Sequence, residues 1–406
     1  MLMVLLGCGG AQRKEEAKKE KEPMTYQAGE FGYDLGFLKK YQNDLVILRD
    51  DSAQAQVLIS PAFQGRVMTS TAGGEKGASY GWINHDLIAS GEKKTHMNAY
   101  GGEERFWLGP EGGQYSLYFK KGVPFTYDNW FVPAEIDTQP FALVRSSTTE
   151  AEFSRKMHLE NYSGNTFDLQ IDRTIRLLDP DFIKRLLSID LPAEVKMVAF
   201  ESDNTITNVG ENAWTKKTGL ISVWILSMLN ATPQGLVAVP YKPGPEKTLG
   251  KVVTDTYFGK VPAERLKVKD SLMIFKTDAA HRSKIGISPK RALPWVASYD
   301  RGSHVLTLAQ FTLPDKHPGY VNGVWEVQKE PYGGDAVNAY NDGPVEDGSQ
   351  MGKFYEIESS SPAAELKPKE TLKHVHRTIH FQGDEAQLKA IARKAVGLDL
   401  DKVTLE

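Results

Sequence analysis

Cysteine is almost absent from this 406-residue chain, which contains only Cys8. One cysteine excludes an intramolecular disulfide and any zinc or iron–sulfur site built from several cysteines. No apolar run reaches the roughly 18 residues of a transmembrane helix. Neither sign of charge dominates, with 49 basic against 52 acidic residues. This balance argues against a nucleic-acid-binding protein, which would show a basic excess or stripe.

Familiar catalytic motifs are missing as well. The sequence has no Walker loop, no Gly-x-Ser-x-Gly elbow, no His-Glu-x-x-His motif and no dinucleotide-binding fingerprint after a strand. The chain nevertheless has ample material for a core, because 40% of its residues are hydrophobic and 10% are aromatic. A large folded domain without a cofactor-binding motif is therefore predicted.

The position of Cys8 predicts how the chain begins. It ends a short apolar segment, Leu5-Leu6-Gly7-Cys8, that resembles a bacterial lipoprotein signal, although only seven residues precede the cysteine and none is basic. We interpret residues 1–8 as the signal with Cys8 as the lipidated residue, and the highly charged residues 9–23 as a solvated tether. The expected location is the bacterial cell envelope, with a lipid anchor as the only membrane contact.

Residues 24–406 are interpreted as a single domain. Segments rich in β-branched and aromatic residues, bounded by turn residues, predict strands. They are Asp44–Leu48, Gln56–Ser60, Arg66–Ser70, Tyr115–Phe119, Phe141–Ser146, Ala151–Leu159, Phe167–Leu177, Lys196–Thr207, Leu220–Met228, Leu272–Lys276, Trp295–Tyr299, His304–Phe311, Lys353–Ser359 and Thr371–Phe381. Helices are predicted only at Asp179–Asp190 and at Asp384–Val396, and Pro240–Arg265 is predicted to be a long loop. This pattern predicts an all-β fold, a large antiparallel sandwich with few short helices.

The densest polar and aromatic stretch is Thr95–Gly113, where glycines allow the backbone to turn close to a ligand. Sugar recognition combines aromatic faces for the apolar side of the ring with polar groups for its hydroxyls. The alternative is a structural loop whose charged side chains satisfy one another. The candidate ligand-binding residues here are His96, Asn98, Glu103, Glu104, Arg105 and Trp107.

Two acidic residues on one predicted strand form a second candidate site. Side chains alternate along a strand, so Glu356 and Glu358 point to the same face, roughly 7 Å apart. Such a pair suits general acid–base chemistry, or it could share a cation such as Ca²⁺. The alternative is an ordinary solvated strand face.

A third cluster contains three histidines of equal parity, His374, His376 and His380. Three imidazoles can hold a metal ion, but strand twist argues against a single site made from all three. Surface histidines are the favoured interpretation, and no metal site is predicted. His374 or His376 could still move protons or contact substrate if it lay near Glu358.

Three segments together resemble the galactose mutarotase-like, or aldose 1-epimerase-like, β-supersandwich. They are Val57–Val67 with its Gly65-Arg66 turn, Thr205–Gly210 with its Thr-Asn strand end, and Tyr355–Ser360 followed by Leu366–Glu370. The resemblance spans roughly residues 40–382. It also extends to uncharacterised secreted lipoproteins of carbohydrate-degrading bacteria.

The resemblance implies a general base at Glu358, or at Glu356 in a shifted register, and a sugar-binding role for Arg105. The family places its acid histidine on a strand that matches Leu220–Leu226, which has none. Trp224 would there be a stacking platform, and His96 would supply the proton. The expected function is an aldose epimerase-like activity on a sugar or oligosaccharide, without a cofactor. The alternatives are a non-catalytic glycan-binding lipoprotein and a lyase or hydrolase on the same scaffold.

Overall fold

The computed structural model describes residues 25–316 and 318–405. The predicted signal, the lipidated Cys8 and the charged tether lie outside these residues and stay predictions. Within the described part of the chain, every helix is too short or too polar to cross a bilayer.

Most of the ordered backbone is extended. The strands, in chain order, are β1 (Val46–Asp50), β2 (Ala55–Ser60), β3 (Arg66–Thr71), β4 (Arg105–Gly109), β5 (Ala142–Ser146), β6 (Glu150–Glu160), β7 (Thr166–Leu177), β8 (Lys196–Asn208), β9 (Ser222–Leu226), β10 (Leu229–Asn230), β11 (Gly235–Pro240), β12 (Leu266–Val268), β13 (Leu272–Lys276), β14 (Ser283–Ile287), β15 (Trp295–Asp300), β16 (Val305–Phe311), β17 (Val337–Asn341), β18 (Phe354–Ser360) and β19 (Thr371–Gln382). The helices are α1 (Phe31–Leu38), α2 (His85–Ser90), α3 (Ala134–Asp137), α4 (Pro180–Leu187), α5 (Glu246–Leu249) and α6 (Glu385–Val396).

The strands form three antiparallel sheets. The largest has ten strands in the order β12-β13-β11-β15-β16-β19-β8-β7-β6-β5. A six-stranded sheet follows the order β14-β17-β18-β9-β4, with β10 paired to β18, and a small sheet contains β1-β2-β3. The all-β antiparallel prediction is therefore confirmed.

Alternating side chains join the two larger sheets face to face. Tyr355 and Ile357 of β18 pack in one buried cluster with Val237 of β11 and Phe275 of β13. On β7 every second residue is likewise buried, beginning with Phe167. Removing these apolar side chains from water is the main source of stability, at roughly 25 cal/mol per Å².

Helices cover the opposite face of the ten-stranded sheet. Ile183 of α4 and Leu388 of α6 pack with Leu306 and Phe381 of the sheet. Helix α6 begins at a capping box, in which Asp384 accepts from the backbone N–H of Gln387 and the Gln387 side chain accepts from the Asp384 N–H. Both predicted helices are therefore confirmed, within a few residues at their ends, whereas the short helices α1, α2, α3 and α5 were not predicted.

The sequence missed several strands, and one predicted strand is wrong. Tyr115–Phe119 forms turns rather than a strand. The short strands β4, β11, β14 and β17 were not predicted, because their residues are buried on both faces or flanked by glycine, and so show little alternation. Strand β12 was also missed, because its three residues are too few to show a period. Pro240–Arg265 is mostly irregular, as expected, apart from the four residues of α5.

Candidate functional site

The outer face of the six-stranded sheet forms the floor of a cavity. On β18, Tyr355 and Ile357 point into the core between the sheets, so Glu356 and Glu358 point to the opposite face. The prediction that the two carboxylates share a face is therefore confirmed. Tyr340 of β17 is paired with Glu356 of β18 on one side and with Lys284 of β14 on the other.

The cavity has a volume of about 860 Å³, within the usual range for small-molecule sites. Its floor comes from the six-stranded sheet, and its walls come from the segments on either side of β4 and from the loops that contain Phe258, Arg282 and Met351. The charged and aromatic side chains that line it include His96, Arg105, Trp107, Glu111, Tyr127, Trp224, Phe258, Arg282, Lys284 and Glu356.

Two glycines bring the chain onto strand β4. Gly101 and Gly102 have φ of +89° and +116°, a region that side chains rarely adopt. A Cβ at Gly101 would lie 2.2 Å from the Trp82 carbonyl oxygen, and one at Gly102 would lie 2.5 Å from Cδ of Arg66. The glycine-rich stretch therefore turns tightly, as expected, and delivers Arg105 to the cavity floor.

Arg105 and Glu356 form a buried ion pair on that floor. Arg105 Nη2 donates to Glu356 Oε1 over 2.6 Å, and the two side chains are only 4% and 7% exposed. Burial raises the pKa of Glu356 to about 7, with Arg105 opposing the increase and Glu358 adding to it. Glu356 can therefore gain and lose a proton near neutral pH.

Glu358 lies beside Glu356 but does not line the cavity. Its Oε2 accepts from Lys284 Nζ at 2.8 Å and from the Trp224 indole N–H at 2.9 Å. The ammonium and the indole therefore stand between this carboxylate and the cavity. Of the two carboxylates considered as the general base, Glu356 therefore lines the cavity and Glu358 does not.

Glu111 is a cavity residue that sequence reasoning missed. It follows β4 by two residues and lines the wall beside Trp224 and Lys284. Loss of hydration raises the pKa of the Glu111 carboxyl, and Glu358 raises it further, while Lys284 opposes the shift. Its place between the glycines of the predicted binding loop was a usable signal.

His96 lies on the cavity wall, as predicted. Its Nδ1 lies 2.7 Å from the Trp130 carbonyl oxygen. Because a carbonyl only accepts, Nδ1 carries the proton, and in the neutral ring Nε2 keeps its lone pair. The ring stacks on Phe131, with centroids 4.7 Å apart, and contacts Tyr127 at a tilt, with centroids 4.5 Å apart.

The two predicted tryptophans line the cavity but are largely covered. Trp107 and Trp224 pack edge to face at 5.6 Å, and they are 3% and 8% exposed. The Arg105 guanidinium lies 4.3 Å from the Trp107 ring centroid, and Lys284 Nζ lies 4.9 Å from that of Trp224. The role of Trp224 as an open stacking platform therefore needs correction.

The aromatic surface that faces solvent belongs to two other residues. Tyr127 is 60% exposed and Phe258 is 46% exposed, and both line the cavity. Sequence reasoning missed them because Tyr127 begins a single 3-10 turn and Phe258 lies in a loop, and neither segment is long enough to show a periodic pattern.

Three residues of the predicted binding stretch lie away from the cavity, which corrects their placement. Asn98 is buried and its amide donates to Asp137 at 2.7 Å. Glu103 accepts from Ser70 at 2.8 Å and lies 2.6 Å from Nε2 of His380. Glu104 forms an ion pair with the buried Arg173. All three side chains therefore hold loops and sheets together.

The predicted histidine cluster also needs correction, because it is buried between the sheets rather than on the surface. The Ser359 hydroxyl lies 2.8 Å from Nε2 of His374 and 2.9 Å from Nδ1 of His376. Ser359 points into the core, so both rings lie behind the strand that carries Glu356 and cannot contact a ligand in the cavity. Burial lowers the pKa of each of these two imidazoles to about 3.

The sequence suggested that Glu356 and Glu358 could share a cation such as Ca²⁺. In the structure each carboxylate is paired with a protein cation instead. Arg105 pairs with the first carboxylate and Lys284 with the second. Within residues 25–316 and 318–405, no three potential metal-ligating side chains of the His, Cys, Asp or Glu type are grouped around a common centre.

Several solved structures share this outline. The structure is similar to a putative aldose 1-epimerase from Escherichia coli K12, with a TM-score of 0.47, 10% identity, and coverage of 83% of this chain and 98% of that one. It is also similar to the Slr1438 protein from Synechocystis sp. PCC 6803 (0.49, 10%, 84% and 96%) and to a galactose mutarotase-like protein from Lactobacillus casei ATCC 334 (0.45, 10%, 83% and 100%).

Sequence comparison gives a firmer result. No curated protein matches the chain. Residues 29–406, which include every sheet and the whole cavity, match a family of unknown function, DUF6786. The chain therefore belongs to the family DUF6786.

Proposed function

We propose that this protein is carbohydrate-active, and that its cavity binds a sugar and exchanges protons with it as an aldose 1-epimerase does. The observation that supports this most is Glu356, a cavity carboxylate with a pKa of about 7 beside Arg105. A general base is most effective when its pKa lies near the working pH. The buried guanidinium also fixes the orientation of the carboxylate.

The proposed step is the opening of a cyclic aldose. Glu356 takes the proton of the anomeric hydroxyl, and that oxygen forms a carbonyl with C1. The bond from C1 to the ring oxygen breaks, and a second group protonates the ring oxygen. Closure on the other face of the carbonyl returns both protons and gives the other anomer, so atoms and charge balance.

We propose Glu111 as the proton donor. Its raised pKa favours the protonated carboxyl, which is the form that donates. His96, the donor proposed from the sequence, is the alternative, and Nε2 is the ring nitrogen free to carry the transferred proton. Glutamine at Glu111 keeps a hydrogen-bond donor but cannot transfer a proton, so Glu111→Gln and His96→Gln separate the two assignments.

The test is acceleration of anomer exchange, followed by exchange NMR or polarimetry, over a panel of aldoses. Glu356→Gln should lower the rate by about 100-fold or more, as expected when a general base is removed. Glu92→Gln is the matched control, because Glu92 is an exposed carboxylate at the cavity rim, paired with Lys94. A wild-type protein that accelerates exchange of none of the aldoses would overturn the epimerase proposal.

The same panel separates the other two functions. Saturable sugar binding without turnover would favour the glycan-binding alternative. New reducing ends or unsaturated products from oligosaccharides would favour a hydrolase or a lyase.

We also propose that the chain is anchored to the bacterial envelope by a lipid on Cys8. The sequence Leu5-Leu6-Gly7-Cys8 supports this proposal. Metabolic labelling with a fatty acid should mark the wild-type protein and not Cys8→Ala, and labelling of neither would contradict it.

A further inference from the structure

Arg282 is a cation on the cavity wall. It lies two residues before Lys284, and its side chain is half-buried. Its Nε donates to the Tyr340 hydroxyl over 3.3 Å, and the guanidinium carbon lies 4.0 Å from the Phe258 ring centroid. Within the described part of the chain, no carboxylate forms an ion pair with it and neither of its Nη atoms has a hydrogen-bond partner.

The other cations of the cavity differ in this respect. Each lies within 2.8 Å of a carboxylate oxygen: Lys94 with Glu92, Arg105 with Glu356, and Lys284 with Glu358. Their charges are therefore compensated before any ligand enters. The charge of Arg282 is not.

The nearby carboxyls do not compensate Arg282 by contact either. Arg282 lowers the pKa of Glu111 and of Asp342, so it acts on both through space. Burial raises the pKa of both groups more strongly, and Asp342 instead accepts from the Tyr340 hydroxyl at 2.7 Å. The raised pKa of Glu111 favours its neutral carboxyl, a form that leaves the positive charge of Arg282 available to a ligand.

We propose that the cavity selects a sugar that carries an anionic substituent, a carboxylate or a sulfate or phosphate ester, and that Arg282 binds this group. The two free Nη atoms form the fork that matches such oxygens bidentately, and the Phe258 ring holds the plane of the guanidinium. The inference rests on the proposed function, because it names the substrate class of the same cavity.

The position of Arg282 relative to Glu356 places the anionic group on the sugar that reacts. The hydroxyl that Arg282 contacts belongs to Tyr340, and Tyr340 lies directly opposite Glu356 in the sheet. Adjacent strands are about 4.8 Å apart, so one sugar can reach both side chains.

The test is calorimetric titration with pairs of sugars at constant ionic strength. Glucose and galactose are compared with glucuronate, galacturonate, galactose 6-sulfate and glucose 6-phosphate, so that carboxylate, sulfate and phosphate are separate arms. At least one anionic sugar should bind about tenfold or more tightly than its neutral parent, the gain expected from a charge-assisted hydrogen bond. Arg282→Gln should remove this preference and leave the affinity for the neutral sugar unchanged, and Arg282→Lys should restore part of it.

Lys94→Gln is the control, because it removes a cation from the rim of the same cavity, and it should keep the preference. Thermal unfolding checks that Arg282→Gln is folded. Equal affinity for neutral and anionic sugars, or a preference that survives in Arg282→Gln, would overturn this inference and leave the proposed function standing. Failure of every sugar to bind would overturn both.

Discussion

Arg105 Nη2 lies 2.6 Å from Oε1 of Glu356, although the two residues are 251 positions apart in the chain. The pair is buried on the floor of a cavity of about 860 Å³. Burial disfavours the ionised carboxylate and the guanidinium favours it, and the balance leaves the pKa of Glu356 at about 7. A neutral-pH proton acceptor therefore results from the way strand β4 is placed near β18.

The first prediction concerns the pH dependence of sugar turnover. The proposed step needs ionised Glu356, so kcat/KM should rise as the pH increases through about 7, the pKa of this carboxyl. Arg105 lowers the pKa of Glu356, so Arg105→Gln should move the midpoint upward by about one unit or more. A pH–rate profile of each protein measures this shift.

Arg105→Lys and Lys94→Gln serve as controls for that shift. Arg105→Lys keeps a positive charge beside Glu356 and should bring the midpoint most of the way back. Lys94→Gln removes an exposed cation that is paired with Glu92, so the midpoint should not move. A profile whose midpoint is the same in Arg105→Gln and in the wild type would contradict the role given to this ion pair.

The second prediction concerns the exposed aromatic side of the cavity. Tyr127 lines the cavity and is 60% exposed, so its ring is available to the apolar face of a sugar. Tyr127→Ala should weaken sugar binding by about three- to tenfold, since an aromatic contact contributes roughly 0.5–1.5 kcal/mol. Tyr41→Ala is the matched control, because Tyr41 is 48% exposed and is not among the lining residues. An equal loss of sugar affinity in the two variants would contradict the role given to Tyr127.

Much of the fold was readable from the sequence because long strands alternate. On β7 the apolar residues from Phe167 onward fall on one face, and the structure buries that face. The same parity rule placed Glu356 and Glu358 together. Capping residues likewise marked the start of helix α6 at Asp384.

The remaining features of the fold and site depend on which layer of the structure covers each strand face. The alternation of side chains along a strand does not reveal this. His374 and His376 share a strand face that reads as polar, but this face points into the core, where both rings contact Ser359. Lys284 and Arg282 come from a strand and a loop with no recognisable pattern. They reach the cavity only because β14 pairs with β17, which in turn pairs with β18.

The third prediction concerns the buried pair that Glu104 forms with Arg173. Arg173 Nη2 donates to Glu104 Oε1 over 2.6 Å, and both side chains are fully buried. Arg173→Met would leave an unpaired carboxylate in the core, and the free energy of unfolding should fall by about 3–5 kcal/mol in urea titrations. Arg145→Met is the control, since Arg145 is 67% exposed and water screens its pairs with Glu150 and Glu152, so the free energy of unfolding should hardly change.

Repeating the measurement at two pH values tests whether the unpaired Glu104 carboxylate causes the loss. Burial raises the pKa of Glu104, so protonation at low pH should relieve the unpaired charge in Arg173→Met. The loss of stability should therefore be smaller at pH 5 than at pH 8. A loss that is the same at both pH values would show that Arg173 acts through packing and its other hydrogen bonds rather than through Glu104.

The fourth prediction concerns the acid sensitivity of the core. His374 and His376 each have a pKa lowered by burial to about 3, whereas an unfolded histidine titrates near 6.5. Between these values the unfolded chain binds more protons than the folded one, so stability falls as the pH falls from 6.5 toward 3. Each histidine should contribute a slope of up to about 1.4 kcal/mol per pH unit in this window.

The double variant His374→Asn, His376→Gln isolates that contribution. Both replacements are polar and do not titrate, so they can still contact Ser359 while removing the two protonation sites. The free energy of unfolding of the variant, measured by urea titration from pH 7 to pH 4.5, should depend less steeply on pH than that of the wild type. Glu356 acts in the opposite sense, because its raised pKa makes the fold lose stability as the pH rises from about 4.5 to 7. Since this carboxyl is unchanged in the variant, its contribution cancels in the comparison, and two parallel curves would mean that the buried imidazoles are not the source of the acid sensitivity.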